Sequence, residues 1–414
     1  LNKPVIKENI NSYELVWADE QISIKVARIH EQARGIVAEI TITLLTGFPN
    51  NHLHQSMFNL SALSARVELI KSLKKTSADI DWDSIIEQLC VYVPRFHRKG
   101  EPVETLMSDE DTSPPQQFID PIILADEINM IFGEGGTGKS YLSLYLALRA
   151  ARVGDSNPMK LGQPLQTTST LLLDWETNKA QVQWRWHSLA YGMGLQGINI
   201  PIDYRRCALP LVDDLENIQN MILEKNSKFI IIDSVGAACA KDFNQPGIAT
   251  EFMNSVRRLN VTTLLIHHTS KDREGRKTPF GSVYFTNASR SIFEIQEYQE
   301  PNTNVKNIML SHVKHNYSGR AEPFGAKFVF NEDKTIDIQP LDVSTIPEFN
   351  CRLPLANQIL IYLQDSGSKS IEKIAVALKL FPSRVKAVLC NNPDRFYRVE
   401  VGKGELDSIW DVKL

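Results

Sequence analysis

The sequence predicts an α/β protein with a mostly parallel, doubly wound sheet over residues 121–341. A small α+β domain at 1–100 precedes it and a winged helix-turn-helix at 351–414 follows, with linkers at 101–120 and 342–350. Three observations predict this. Between Pro121 and Leu341, apolar strand-like runs alternate with helical stretches, the pattern of a parallel sheet covered by helices. Within that region Gly133-Glu134-Gly135-Gly136-Thr137-Gly138-Lys139-Ser140 fits the P-loop pattern G-x-x-x-x-G-K-[ST] at every position. Finally, 414 residues exceed one ordinary core, so two or three domains are expected.

In chain order, Ile22-Ser23-Ile24-Lys25-Val26 and Ala38-Glu39-Ile40-Thr41-Ile42-Thr43 alternate apolar and polar residues as half-buried strands do. Helices are expected over about Asn59–Lys75 and Asp83–Val93, the second capped by Asp81. Trp17 and Trp82 read as core, and no motif marks this domain. The acidic, proline-containing stretch from Gly100 to Asp120 buries too little apolar surface to fold and reads as a linker. The P-loop sits between a buried strand, Ile128–Phe132, and a helix, Tyr141–Ala151. Further strands are expected at Thr168–Asp174, Ile202–Arg206, Phe229–Asp233 and Thr262–His267. Ile292–Ile295, Ile308–Val313 and Lys327–Phe330 lack long helices between them and predict an antiparallel extension of the sheet. Pro340–Phe349 reads as the second linker. Leu355–Gln364, Ser370–Leu378 and Pro382–Cys390 read as three helices, followed by a hairpin through Gly402-Lys403-Gly404. No internal repeat is present.

The P-loop implies phosphate binding. Its glycines let backbone N–H groups and the following helix N-terminus face an anion, with Gly133, Glu134, Gly135, Gly136, Thr137 and Gly138 forming the cradle. Lys139 is expected to reach the β- and γ-phosphates of ATP and Ser140 to bind Mg2+. Hydrolysis also needs a metal-holding acid and a base for water. Phe229-Ile230-Ile231-Ile232-Asp233 is an apolar strand ending in an acid, which makes Asp233 the expected second metal residue. Leu171-Leu172-Leu173 ends in Asp174-Trp175-Glu176, where period-two alternation predicts that Asp174 and Glu176 point the same way; Glu176 is the candidate base.

Together these pieces resemble the RecA-like ATPase core over roughly Pro121–Leu341. Leu173-Asp174-Trp175-Glu176 looks like that family's D-x-E strand end, and Ile232-Asp233-Ser234-Val235 looks like its Walker B. Leu265-Ile266-His267-His268-Thr269-Ser270-Lys271 is similar to the His-His-x-Ser-Lys element of RepA-type hexameric helicases. The resemblance implies a γ-phosphate sensor at His268, with His267 second, and a ring, expected to be a hexamer, that hydrolyses ATP to translocate on single-stranded DNA. It also implies a basic finger acting on the neighbouring subunit. In His312-Val313-Lys314-His315-Asn316 the lysine matches that finger's K-x-R element, whereas Asn316 stands where DnaB-type helicases carry arginine. Lys314 leads, with Arg320 and Arg290 as alternatives. The polar stretch Thr269–Gly281, with Lys271, Arg273, Arg276 and Lys277, sits where RecA-like rings place a loop facing the channel, and its cations suit a phosphate backbone.

From Cys351 onward ten Lys/Arg face seven Asp/Glu, and Arg384 and Lys386 lie on the expected recognition helix, a form able to read DNA or dock a protein. For the amino-terminal domain three roles stand side by side: assembly, binding of a partner such as a primase, or binding of DNA. The net charge of −4 gives no global nucleic-acid signal. The five cysteines are scattered and never in C-x-x-C spacing, which argues against a disulfide framework or zinc site. No apolar run approaches the roughly 20 residues of a membrane span, and the polar amino-terminus lacks a secretory signal, so a cytoplasmic location is expected. The leading expectation is a replicative helicase of a plasmid, phage or mobile element. The alternatives are a nucleotide-switched DNA-binding or recombination ATPase without unwinding, and a regulatory oligomeric interaction module.

Overall fold

A computed structural model of the chain describes residues 2–9, 12–32, 35–46, 51–100, 103–108, 113–152, 156–239, 242, 244–271, 277–402 and 404–413. It divides into two compact units. The first comprises Leu1–Pro114, Cys207–Lys228 and Gly236–Val261; the second comprises Pro115–Arg206, Phe229–Val235 and Thr262–Leu414.

The first unit opens with a five-stranded antiparallel meander, Val5–Asn9, Ser12–Trp17, Ile22–Gln32, Gly35–Leu44 and His52–Asn59, in sequential order. Period-two burial along Gly35–Leu44 puts Ile36, Ala38, Ile40 and Ile42 in the core. Of the two edge strands, Val5–Asn9 buries no residue fully and His52–Asn59 only Phe58, which is why the apolar pattern does not announce them. Because His52–Asn59 is a strand, the helix expected from Asn59 starts at Leu63 and runs to Thr76. The second helix is Trp82–His97, and Asp81 Oδ1 accepts from Ser84 N at 3.2 Å to cap it. Both tryptophans are core residues with satisfied indole N–H groups, Trp17 donating to Gln88 Oε1 and Trp82 to the Ser77 carbonyl, each at 2.9 Å. In the same unit Lys25 pairs with Glu216 at 2.7 Å, and His30 bridges Asp213 (3.1 Å) and Glu251 (2.9 Å).

A ten-stranded sheet organises the second unit. Its main order is Asp203–Arg206, Thr170–Asp174, Phe229–Asp233, Thr262–Lys271, Ile128–Gly133, Ser291–Gln299, Val305–His315, Phe324–Phe330 and Ile336–Leu341, with Lys277–Pro279 paired to the far end of Thr262–Lys271. The first six of these strands are parallel, so the expected mostly parallel sheet is present. One expectation is corrected: Ser291–Gln299 joins the parallel set and only the strands from Val305 onward are antiparallel. The return to the start of the sheet is made by Lys277–Pro279 and the six-residue helix Val283–Ala288, too short to be read as a crossover from sequence. The core beneath the sheet includes Ile131, Leu142, Leu146, Leu189, Ile231, Leu264 and Phe293.

Both linker stretches carry structure. Gln117–Ile119 pairs with Ile123–Leu124, Phe118 and Ile119 are fully buried, and the Phe118 ring lies 5.4 Å from that of Phe229. Residues 109–112 of the first linker lie outside the described residues. In the second, Val343, Ile346 and Phe349 pack with Met309 and Leu353. Beyond it, helices Leu355–Ser366, Ile371–Ala377 and Pro382–Asn391 enclose Ile359, Leu363, Ile374, Val385 and Leu389. A three-stranded sheet ordered Lys369–Ser370, Ile409–Val412, Phe396–Glu400 covers them with Phe396 and Trp410.

Candidate nucleotide site

The strand Ile128–Gly133 is buried throughout and delivers the glycine-rich loop to the carboxyl edge of the sheet, between Thr262–Lys271 and Ser291–Gln299. Gly133 has no room for a side chain: a Cβ there would stand 2.6 Å from both Cγ2 and the carbonyl oxygen of Ile295. Gly136 and Gly138 have φ of +83° and +88°, the left-handed backbone that glycine adopts freely, and Gly138 starts the helix Lys139–Ala150. Thr137 Oγ1 donates to the Glu134 carbonyl at 2.9 Å. Lys139 folds back over the loop, donating to the carbonyls of Gly133 (3.0 Å) and Glu134 (2.6 Å). Burial holds its amine below the usual lysine range, opposed by the carboxylates of Asp233 and Glu176.

Asp233 ends its strand level with Asp174 and Ile266. Ser140 Oγ donates to Asp233 Oδ2 at 3.1 Å, although 93 residues separate them. Burial first, and the nearby Glu176 carboxylate second, push the Asp233 carboxyl up to about 6. A hydroxyl and a carboxylate converging in this way are hard oxygen donors that fit Mg2+, an ion that keeps most of its shell for water and phosphate oxygens. Among the described residues no group of three or more His, Cys, Asp or Glu side chains is arranged to hold a metal without such help.

Glu176 stands beyond the end of Thr170–Asp174, in a turn tied down by Trp175 N donating to the Asp233 carbonyl at 2.8 Å. The strand stops at Asp174, so strand alternation does not reach Glu176, and the two acids part company. Asp174 is buried and accepts from Glu176 N (2.9 Å), Thr177 N (2.8 Å), Thr177 Oγ1 (2.6 Å) and Tyr204 OH (3.0 Å), so its oxygens staple the turn. Glu176 Oε1 accepts from the Ser234 hydroxyl and lies 3.2 Å from His268 Nε2. The His268 contact, ahead of the Ser234 bond, holds the Glu176 carboxyl below its usual range, against the effect of burial.

Of the two adjacent histidines, His268 is the one at the site, level with Gly133 across the sheet. His267 faces the other way into the protein, with 1% exposure and its ring edge-on to Phe285 at 5.2 Å. Burial first, and His268 second, drive it down to about 3, so it stays neutral. Its Nδ1 accepts from His268 N at 2.9 Å and so orients the next residue.

The basic residues are more dispersed. Lys314 donates to the carbonyls of Thr286 (2.8 Å), Asn287 (3.0 Å) and Ser289 (2.7 Å), which employs all three ammonium protons at the end of the Val283–Ala288 helix. It is level with Ile292 and thereby with Met130, three residues before Gly133 and so roughly 10 Å from the P-loop edge. Arg290 lies 3.7 Å from Glu127, and Arg320 is exposed. Lys271 and Lys277 face each other in the backbone register of the ribbon formed by Thr269–Lys271 and Lys277–Pro279; their side chains, and Arg273 and Arg276, lie outside what the structure describes. Arg384 is exposed on the Pro382–Asn391 helix. Lys386 is half-buried beyond the inward-facing Val385, so the two cations do not share a face.

Two residues at the site, Ser234 and Lys306, have no role that the sequence assigns. The first was findable as the residue next to the strand-end acid; the second carries no local signal. Among the described residues no helix is long and apolar enough to cross a membrane. No curated protein matches the chain. Residues 93–274, which carry Lys139, Ser140, Glu176, Asp233 and His268, match the family model of the AAA domain, a P-loop NTPase-like domain found in RecA-like and helicase-type proteins; this supports a nucleotide-hydrolysing P-loop ATPase.

Proposed function

We propose that the chain is an ATP-driven translocase and helicase on single-stranded DNA, of the RepA type, working as a ring in the replication of a plasmid, phage or mobile element. The observation that carries this reading is the convergence of Lys139, Ser140, Asp233, Glu176 and His268, from four neighbouring strands and the turns that follow them, on one edge of the parallel sheet. Bound Mg2+ would neutralise charge on the β- and γ-phosphates. Ser140 and Asp233 would hold that ion, and Lys139 would leave the Gly133 and Glu134 carbonyls for phosphate oxygens. Both bonds to Glu176 fall on Oε1, which leaves Oε2 for the attacking water. His268 touches the candidate base, a contact that suits a residue responding to loss of the γ-phosphate.

Coupling to DNA is supported by the strand that carries His268. It runs on past the sheet edge into the ribbon bearing Lys271 and Lys277, whose cations suit a phosphate backbone. For the finger acting on a neighbouring subunit, exposed Arg320 is better placed than Lys314, whose protons are already engaged. We read 351–414 as a winged helix contacting DNA or a partner, 1–100 as an accessory domain, and 121–341 as the ATPase core.

The test is the ATPase rate with and without single-stranded DNA, followed by strand separation, with Lys139→Ala as the inactive control. Stimulation with unwinding is expected. Stimulation without unwinding points to the nucleotide-switched protein, and no stimulation to the interaction module. Full turnover by Lys139→Ala would remove the P-loop from the mechanism.

A further inference from the structure

Lys306 is the second residue of the strand Val305–His315, on the flank of the P-loop away from Glu176 and His268. The P-loop strand pairs with Thr262–Lys271 on one side and Ser291–Gln299 on the other, and Val305–His315 lies next to the latter. From there Lys306 reaches back over the loop. A Cβ built on Gly138 would lie 3.8 Å from Lys306 Cδ, so the lysine stem rests on the loop's glycine backbone. Its ammonium donates to the Gly136 carbonyl at 2.5 Å and pairs with Glu297 Oε2 at 2.6 Å. Glu297 is the diagonal cross-strand neighbour of Lys306, since Gln299 stands opposite it, so two adjacent strands fix the cation from below. The Lys306 side chain is only 18% exposed and that of Glu297 32%.

The chemistry of a phosphate cradle gives this contact a purpose. A loop whose N–H groups converge on an anion must turn carbonyls outward, and an outward carbonyl with no partner leaves the loop free to flip that peptide. Gly136, at φ +83° and exposed, has no side chain to resist such a flip. We propose that Lys306, oriented by Glu297, is a positioning residue that pins the Gly136 peptide and holds the P-loop in its phosphate-binding shape.

The inference rests on the ATPase reading and deepens it. The cradle's N–H groups serve the α- and β-phosphates, which ATP and ADP share. Lys306 acts on that part, whereas Asp233, Glu176 and His268 act on the other flank. Loss of Lys306 therefore weakens binding of both nucleotides and spares the chemical step. A hydrogen bond to a charged donor is worth enough to change affinity about tenfold.

The experiment uses the full chain with Lys306→Met and Lys306→Arg. ATP and ADP affinities are measured by titration with fluorescent analogues, kcat and KM by steady-state hydrolysis, and folding by circular dichroism. The expected result is that Lys306→Met raises Kd for both nucleotides and KM for ATP about tenfold, with kcat within about threefold of wild type. Lys306→Arg, which keeps a cation able to donate to the Gly136 carbonyl and Glu297, regains most of the affinity. If the wild-type chain binds and hydrolyses ATP while folded Lys306→Met retains wild-type affinities, or loses kcat with KM unchanged, this proposal alone is overturned. An arginine variant as weak as the methionine one overturns the hydrogen-bond argument. A wild-type chain that binds neither nucleotide overturns both readings.

Discussion

Replacing Asp233 by Asn separates what the fold wants from what the site needs. The Asp233 carboxyl is raised from its ordinary 3.8 to about 6, by burial first and by the Glu176 carboxylate second. At 1.36 kcal/mol per pKa unit, keeping it ionised at pH 7 costs the nucleotide-free protein about 3 kcal/mol, taken as an upper bound. Asn has nearly the same shape and still accepts from Ser140 Oγ, the 3.1 Å bond that partly offsets that cost. The nucleotide-free Asp233→Asn variant should therefore resist urea better than wild type, by about 1–3 kcal/mol for the transition that unfolds the ATPase core. The sign with pH follows from a folded pKa above the unfolded one. The wild-type penalty is absent below about 3.8, grows as pH rises toward about 6, and is constant above it. The variant's advantage must grow over that window and then level off. In the presence of Mg2+ and ATP the ranking reverses, because only the ionised carboxylate serves the ion, and hydrolysis by the variant should fall at least about a hundredfold. Paired urea titrations at pH 5 and 7.5, with and without Mg2+ and ATP, decide the matter. An advantage that is absent at pH 7.5, or equal at both pH values, would refute the assignment of Asp233 as a buried, ionised carboxylate kept for the metal.

Two further outcomes are expected. Glu176→Gln keeps the side-chain shape and an oxygen for Ser234 but not the basicity, so kcat should drop about 10²–10⁴-fold with ATP affinity retained; unchanged turnover would place the base elsewhere. His30 is held protonated to higher pH than usual by Glu251 foremost, against burial, with Asp213 on its other nitrogen. Its contribution, about 1 kcal/mol, is fully present below pH 6.5 and is lost as pH rises through the raised folded value. His30→Gln should accordingly destabilise the first unit at pH 5.5 and converge with wild type at alkaline pH, as thermal melts would show.

The parts of this molecule legible from sequence are those written in consecutive residues. Gly133–Ser140 specifies a loop whatever surrounds it, and Phe229–Asp233 is apolar because both faces of a central parallel strand are covered. Edge strands such as Val5–Asn9 have one neighbour and little buried surface, so no alternation marks them. The direction of Ser291–Gln299 depends on a return path through a short helix and a two-stranded ribbon, neither of which has a periodic signature. Individual roles were least visible where the partner is a backbone group. From its sequence position Asp174 points toward the site, yet it staples a turn; Lys314 matches a finger's lysine, yet it caps three carbonyls; and Lys306 is 170 residues from the carbonyl it bonds.

The strand from Thr262 to Lys271 is one uninterrupted rail that begins in the sheet, passes Glu176 at His268, and ends in the ribbon with Lys277. An extended backbone is already near its full length and has no slack to absorb a pull. A pull along the strand at His268 is therefore taken up at Lys271, roughly 10 Å away, rather than by the chain lengthening between them. If His268 senses the γ-phosphate as proposed, only Thr269 and Ser270 separate that event from Lys271 at the tip of the ribbon.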